Sequence, residues 1–147
     1  MQVKLKPKTY GPLRVNLPAD GAPRFTSEAG FQGVGALSPQ ADGLSPSDLL
    51  LASLGTCITI SMRMAAQQMG LALGELNASA SADKATELPH RFARLAVEVH
   101  APDVLDDAVA QELVQRTKAL CTVSNTLGAE VVLNLRTGAS APAAPVA

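Results

Sequence analysis

The stretch from Ser45 to Gly70 constrains this chain more than any other part of it. It runs Pro46-Ser47-Asp48-Leu49-Leu50-Leu51-Ala52-Ser53-Leu54-Gly55-Thr56-Cys57-Ile58 and on to Met69, with no charge between Asp48 and Arg63. Its head carries the marks of a helix start. Ser45 can act as N-cap, Pro46 suits the first turn, and Asp48 follows the serine by three as in a capping box. Gly70 stands where a left-handed residue closes a helix. The 24 residues from 46 to 69 predict a helix about 36 Å long at ~1.5 Å per residue. A helix apolar all round must be covered on all sides, which predicts burial by its own sheet and by a second copy of the chain. Arg63, Gln67 and Gln68, with breaks at Ser53, Gly55 and Thr59, argue against a membrane span.

The flanking segments read as strands and one further helix. Residues 1–31 are extended: Val3 and Leu5 alternate with lysines, Leu13-Arg14-Val15-Asn16-Leu17 alternates again, and Arg24-Phe25 lies in another strand. Residues 32–45 form a Gly/Pro/Ser-rich loop that either shapes a substrate mouth or simply crosses from strand to helix. Segments 73–82 and 91–100 predict an antiparallel pair. A second helix runs from about Asp106 to Leu120, with Asp106 and Asp107 at its positive end and Arg116 and Lys118 at the other. Residues 130–135 are a final strand. The expected fold class is α+β in a single domain, 1–137, followed by a disordered Ala/Pro tail, 138–147.

A chain of 147 residues with a net charge of −1 gives no general electrostatic case for nucleic acid or an anionic membrane. Aromatic residues are 3% with no tryptophan, which also argues against base-stacking platforms. No apolar run of signal-peptide length follows the basic start, so a cytoplasmic protein is expected. The two cysteines, Cys57 and Cys121, have no metal-ligand spacing, and a lone pair is rarely a permanent disulfide in a reducing compartment. No metal or cofactor is expected. The thiols are either buried bystanders or a redox pair. Cys57 sits three turns into its helix, beyond the reach of the helix dipole. A nucleophilic Cys57 therefore needs a cation or hydrogen-bond donor from elsewhere.

The run from Pro46 to Cys57, continuing through Arg63-Met64-Ala65 to Gly70, resembles the central-helix motif of the OsmC/Ohr family, the osmotically inducible and organic hydroperoxide resistance proteins. Cys121-Thr122-Val123-Ser124-Asn125-Thr126-Leu127 resembles its second-cysteine motif. The resemblance implies an intertwined homodimer with antiparallel sheets wrapped around long central helices. It implies a thiol-dependent peroxidase acting on organic hydroperoxides or hydrogen peroxide and regenerated by a dithiol or protein thiol. Carried over by position, Cys57 is the peroxidatic thiol and Cys121 the resolving one. An arginine of the N-terminal strands, Arg14 or Arg24, lowers the thiol pKa. The chain departs from the pattern at Ser47, where peroxidase members carry glutamate with Asp48 one place later, and at Thr122, where proline is usual. The alternative is an OsmC-like binding or redox-sensing protein without efficient turnover.

Other residues have plainer readings. Met62, Met64 and Met69 are expected as core filler, and His90 and His100 as surface histidines flanking a strand. Arg63 is expected to snorkel to the rim, and Asp48 to be a helix cap first and a functional carboxylate second.

Overall fold

The computed structural model describes residues 5–40 and 42–139. The elements in chain order are β1 (Arg14–Asn16), β2 (Arg24–Thr26), β3 (Gln32–Val34), α1 (Pro46–Gln68), β4 (Asn77–Lys84), β5 (Phe92–Ala101), α2 (Asp107–Leu120), α3 (Thr122–Thr126) and β6 (Glu130–Thr137). This is the expected α+β class. Two compact units meet at the Leu49–Leu50 bond. The expected strand residues Val3 and Lys4, and the tail from 140 onward, lie outside the described residues.

In the first unit, β1, β2 and β3 form an antiparallel meander in which Val15 faces Phe25 and Phe25 faces Gly33. A side chain at Gly33 would stand 2.7 Å from the Phe25 ring, so the ring lies on bare backbone there. The turn from β2 to β3 is closed by Ser27, whose N–H donates to the Phe31 carbonyl at 2.9 Å. Its hydroxyl accepts the Phe31 N–H at 3.1 Å. The strand β3 differs from the expected loop over 32–45. Three residues with glycine in the middle carry no periodicity, and the pairing is selected by the ring across the sheet.

The head of α1 is built as expected. Ser45 N–H and Oγ–H both donate to Asp48 Oδ2, at 2.9 and 2.7 Å, and Asp48 N–H returns to Ser45 Oγ at 3.2 Å. At the other end, Gly70 has φ +70°. Leu71 N–H reaches the Ala66 carbonyl at 2.8 Å and Gly70 N–H that of Gln67 at 3.1 Å, the paired bonds of a Schellman close.

In the second unit, α1 supplies Leu54, Ile58, Met62, Ala65 and Ala66 to a core completed by Leu95, Val97 and Val99 of β5, Leu113 of α2, Cys121 and Leu133 of β6. Strand β5 is central, with β4 and β6 at the edges. The β4–β5 pair is antiparallel, but β5–β6 is parallel. This corrects the expectation of antiparallel sheets throughout: α2 and α3 carry the chain back to the starting end of β5, as a parallel pair requires.

Three smaller expectations change. The segment 73–76 is not strand, and β4 begins at Asn77. His100 is not a surface residue: it is 4% exposed, and its Nε2 pairs with the Gly138 carbonyl at 2.8 Å. The chain leaving β6 folds over it, with Gly138 N–H bonded to the Ala101 and Asp103 carbonyls at 3.1 Å each. Met62 is core filler, but Met64 is 46% exposed. Helix α1 has a mean hydropathy of 1.6 over 18 residues, long and apolar enough to cross a membrane, with 33% of that window buried within the chain. Its contribution to the core makes it a core helix, and its uncovered face carries Ile60 and Met64.

Candidate functional site

Cys57 occupies the third turn of α1 with Leu54 and Ser61 on the same side. Its side chain is half-buried against the core. Cys121 ends α2 and begins α3. Its N–H donates to the Thr117 carbonyl at 3.0 Å, and its own carbonyl accepts the Asn125 N–H at 3.1 Å. Its backbone is extended, φ −77° and ψ 99°, which makes it the N-cap of α3, and its Sγ accepts the Ser124 N–H at 3.4 Å. Asn125 Nδ2 holds the short helix against the end of α2 through the Lys118 and Ala119 carbonyls, at 3.0 and 3.3 Å. Cys121 is fully buried.

The fold brings the two thiols together, and both are free. Burial pushes the Cys57 thiol up, but four donors act against it: Val123 N–H, the Cys121 thiol, the Ser61 hydroxyl and Thr122 N–H. Together they outweigh burial, and the Cys57 pKa lies below its ordinary value. Cys121 goes the other way. Burial raises it, and Ser124 lowers it through side chain and backbone. The neighbouring Cys57 raises it again, and the net displacement is upward. Of the two thiols, Cys57 is therefore the one that ionises first as pH rises. This ordering suits a nucleophile beside a resolving thiol.

The remaining candidates lie on other elements. Arg14 and Arg24 lie on β1 and β2 in the other compact unit. The register sets Arg14 against Thr26 and Arg24 against Asn16, so both arginines share one sheet face. Both are exposed, and among the described residues neither has a carboxylate within 4.0 Å. Asp48 is committed to the cap. Its bonds to the Ser45 hydroxyl and N–H lower its pKa against a small opposing effect of burial. Arg63 reaches the rim as expected, with Nη1 on the Leu73 carbonyl at 2.7 Å and Nη2 on that of Gly74 at 2.8 Å. Among the described residues no group of three His, Cys, Asp or Glu is placed to hold a metal.

Sequence reasoning missed Ser61 and the N–H groups of Thr122 and Val123. Ser61 is buried, 4% exposed, and follows Cys57 by one turn, a spacing that could have flagged it. The N–H donors depend on α3, whose five residues are too few to leave a periodic pattern. A cleft of about 410 Å³ between α1 and β4, lined by Gly55, Thr59 and Ala80 among others, opens on the flank of α1 away from Cys57.

The family of OsmC-like proteins matches residues 39–136. No curated protein matches the sequence significantly. Among solved structures, an OsmC-like protein from Mycoplasma pneumoniae is similar with a TM-score of 0.77 at 20% identity, over 89% of this chain and 98% of that one. An organic hydroperoxide resistance protein of Bacillus subtilis is similar with a TM-score of 0.65 at 22% identity, over 86% and 98%. One from Legionella pneumophila, described also as a predicted redox protein, gives 0.68 at 16% identity, over 89% and 99%. These likenesses establish the fold, and the match across residues 39–136 places the chain in the OsmC-like protein family.

Proposed function

We propose that this protein is a thiol-dependent peroxidase that reduces organic hydroperoxides and hydrogen peroxide through Cys57 and Cys121 in defence against oxidative stress. The observation that carries the reading is the opposed pair of thiols: the half-buried one displaced toward thiolate, the buried one held protonated beside it. Two of the similar structures are organic hydroperoxide resistance proteins, which supports the substrate class.

In the first step, the Cys57 thiolate attacks one oxygen of the peroxide. The O–O bond breaks, Cys57 becomes a sulfenic acid, and the alkoxide leaves to take a proton from solvent. The negative charge on Cys57 vanishes in that step, and with it one influence that keeps Cys121 protonated. Cys121 then loses its proton more readily and attacks the sulfenic sulfur. The products are a disulfide and water. A dithiol or protein thiol returns both cysteines to the reduced state by exchange, itself leaving as a disulfide.

Arg14 and Arg24 are the candidates for a guanidinium that strengthens the thiolate. The uncovered α1 face with Ile60 and Met64 supports a homodimer, and a pair of free thiols suits the cytoplasm. The test is peroxide consumption with a dithiol by wild type and Cys57→Ser. Equal turnover by the two proteins overturns the assignment. One observation favours a second reading, a binding or redox-sensing protein with slow turnover. The residue at the family's glutamate place is Ser47, and the adjacent Asp48 carboxylate is engaged by Ser45. A Cys57 that oxidises once but does not cycle with a reductant would select that reading.

A further inference from the structure

The chain has two histidines, placed in opposite surroundings. His90 lies exposed in the loop between β4 and β5. His100, on β5, is 4% exposed. Alternation along β5 sends Val97 and Val99 into the core and His100 to the other face of the sheet, where the chain leaving β6 covers it. Gly138 has φ +103°, a turn that glycine makes without strain, and both of its backbone groups point back at the end of β5. Its N–H is shared by the Ala101 and Asp103 carbonyls at 3.1 Å each, and its carbonyl accepts from His100 Nε2 at 2.8 Å. A carbonyl can only accept, so Nε2 carries the proton of the neutral ring and Nδ1 is a bare acceptor. Nδ1 is buried and has no hydrogen-bond partner among the described residues.

A second proton on this ring goes to Nδ1, and nothing around it is placed to receive the charge. Opposite His100 stand Asn77 on β4 and Arg136 on β6. Glu98, two residues back on the same face, is engaged by Arg136 Nε at 2.9 Å. Asp103, in the turn after β5, accepts the Gly74 N–H on Oδ2 at 2.9 Å. Among the described residues no carboxylate lies within 4.0 Å of either ring nitrogen. Protonation strengthens the one bond to the Gly138 carbonyl. Against that, it buries a charge without a counter-ion, opposite the cation Arg136, and leaves an N–H unpaired. The second effect outweighs the first.

We propose that His100 is an acid-operated latch: uptake of a solvent proton at Nδ1 turns the ring out of its site and frees Gly138 from the end of β5. The latch does not depend on the peroxidase reading of the cysteines. An opening that takes up one extra proton grows by up to about tenfold for each unit fall in pH. The range to search is about pH 7.5 to about pH 5.5, where histidine changes charge and other side chains ordinarily do not.

The test is amide exchange of Gly138 in the full chain, read by NMR and expressed as a protection factor so that the intrinsic pH dependence of exchange is removed. The ring nitrogens of both histidines are followed in the same samples. Across the range the protection of Gly138 falls about tenfold or more, in step with protonation of His100 Nδ1, while amides in the middle of β5 keep theirs. His90→Gln leaves this profile unchanged. His100→Gln offers an amide N–H to the Gly138 carbonyl and has nothing to titrate, so protection stays level; where glutamine does not hold the chain even at neutral pH, the wild-type coincidence of ring protonation and Gly138 exchange decides. Level protection in wild type would overturn the proposal. So would a fall that the whole of β5 shares, one that His90→Gln abolishes, or one that persists in His100→Gln.

Discussion

The heads of α1 and α3 are both capped by a side chain, one with oxygen and one with sulfur. At α1, Ser45 and Asp48 satisfy each other reciprocally through three bonds of 2.7 to 3.2 Å. At α3, Cys121 Sγ takes a single N–H at 3.4 Å, and the N–H groups of Thr122 and Val123 act to lower the Cys57 pKa. The first cap is closed, and its carboxylate has nothing left to offer a substrate. The second is incomplete by design of the sequence, because sulfur is a weak acceptor. Its neighbouring N–H groups favour the charged form of Cys57. A cap that satisfies itself is structure, whereas one that leaves donors over can support chemistry.

Removing the reactive sulfur gives the largest contrast between the two heads. Cys57→Ser lowers peroxide consumption by about 10³-fold or more, as loss of an attacking nucleophile does, measured with a dithiol in excess. Circular dichroism remains that of wild type, since serine replaces a half-buried thiol at one helical position. Residual turnover close to wild type would show that Cys57 is a bystander.

Next in size is the sulfur cap itself. Cys121→Ser keeps an N-cap, and serine is among the best residues there, so α3 persists. The first oxidation of Cys57 still occurs, but no disulfide follows. With a protein thiol as reductant the variant completes about one turnover and then stalls, because resolution has lost its attacking thiol. A one-oxygen mass gain on Cys57 records the trapped sulfenic acid. Continued fast cycling would remove Cys121 from the mechanism.

The Cys57 pKa is displaced downward, so the wild-type rate rises with pH and levels off below the ordinary thiol range. The double variant Arg14→Ala/Arg24→Ala moves that rise upward and lowers the neutral-pH rate about tenfold, the effect of one pKa unit from a lost opposite charge. A profile left in place would mean that the donors at α3 and Ser61 account for the thiolate by themselves.

How much of this was legible in the sequence follows from element length. The 23 residues of α1 show their cap at Ser45, their stop at Gly70 and their apolar content without any coordinates. The antiparallel pairing of β4 with β5 follows from two strand-like segments joined by turn residues. The parallel docking of β6 does not, because strand direction is decided by where α2 and α3 deliver the chain. His100 read as exposed because histidine beside a strand usually is, and only the return of Gly138 over it buries it. At the site, the cysteines were visible as residue types in a familiar setting. Ser61, Thr122 and Val123 were hidden, since two of them act through backbone N–H groups that any residue except proline would present.

The smallest effect belongs to the closed cap and checks the comparison from the other side. Ser45 is 2% exposed. Ser45→Ala removes the hydroxyl that donates to Asp48 Oδ2 and the oxygen that accepts the Asp48 N–H. Loss of such a cap costs about 1 kcal/mol, or roughly 3 °C in Tm, read by thermal unfolding. The Asp48 pKa is lowered in the folded state. That contribution is therefore fully present above the unfolded-state value and is lost as pH falls through the lower folded one. The gap in stability between wild type and Ser45→Ala accordingly narrows in acid and is constant at neutral pH. Across the same series, the pH at which Cys57 becomes alkylated does not move, because the donors to its sulfur come from α3 and Ser61. A shift in that midpoint would couple the two heads and make Asp48 more than a cap.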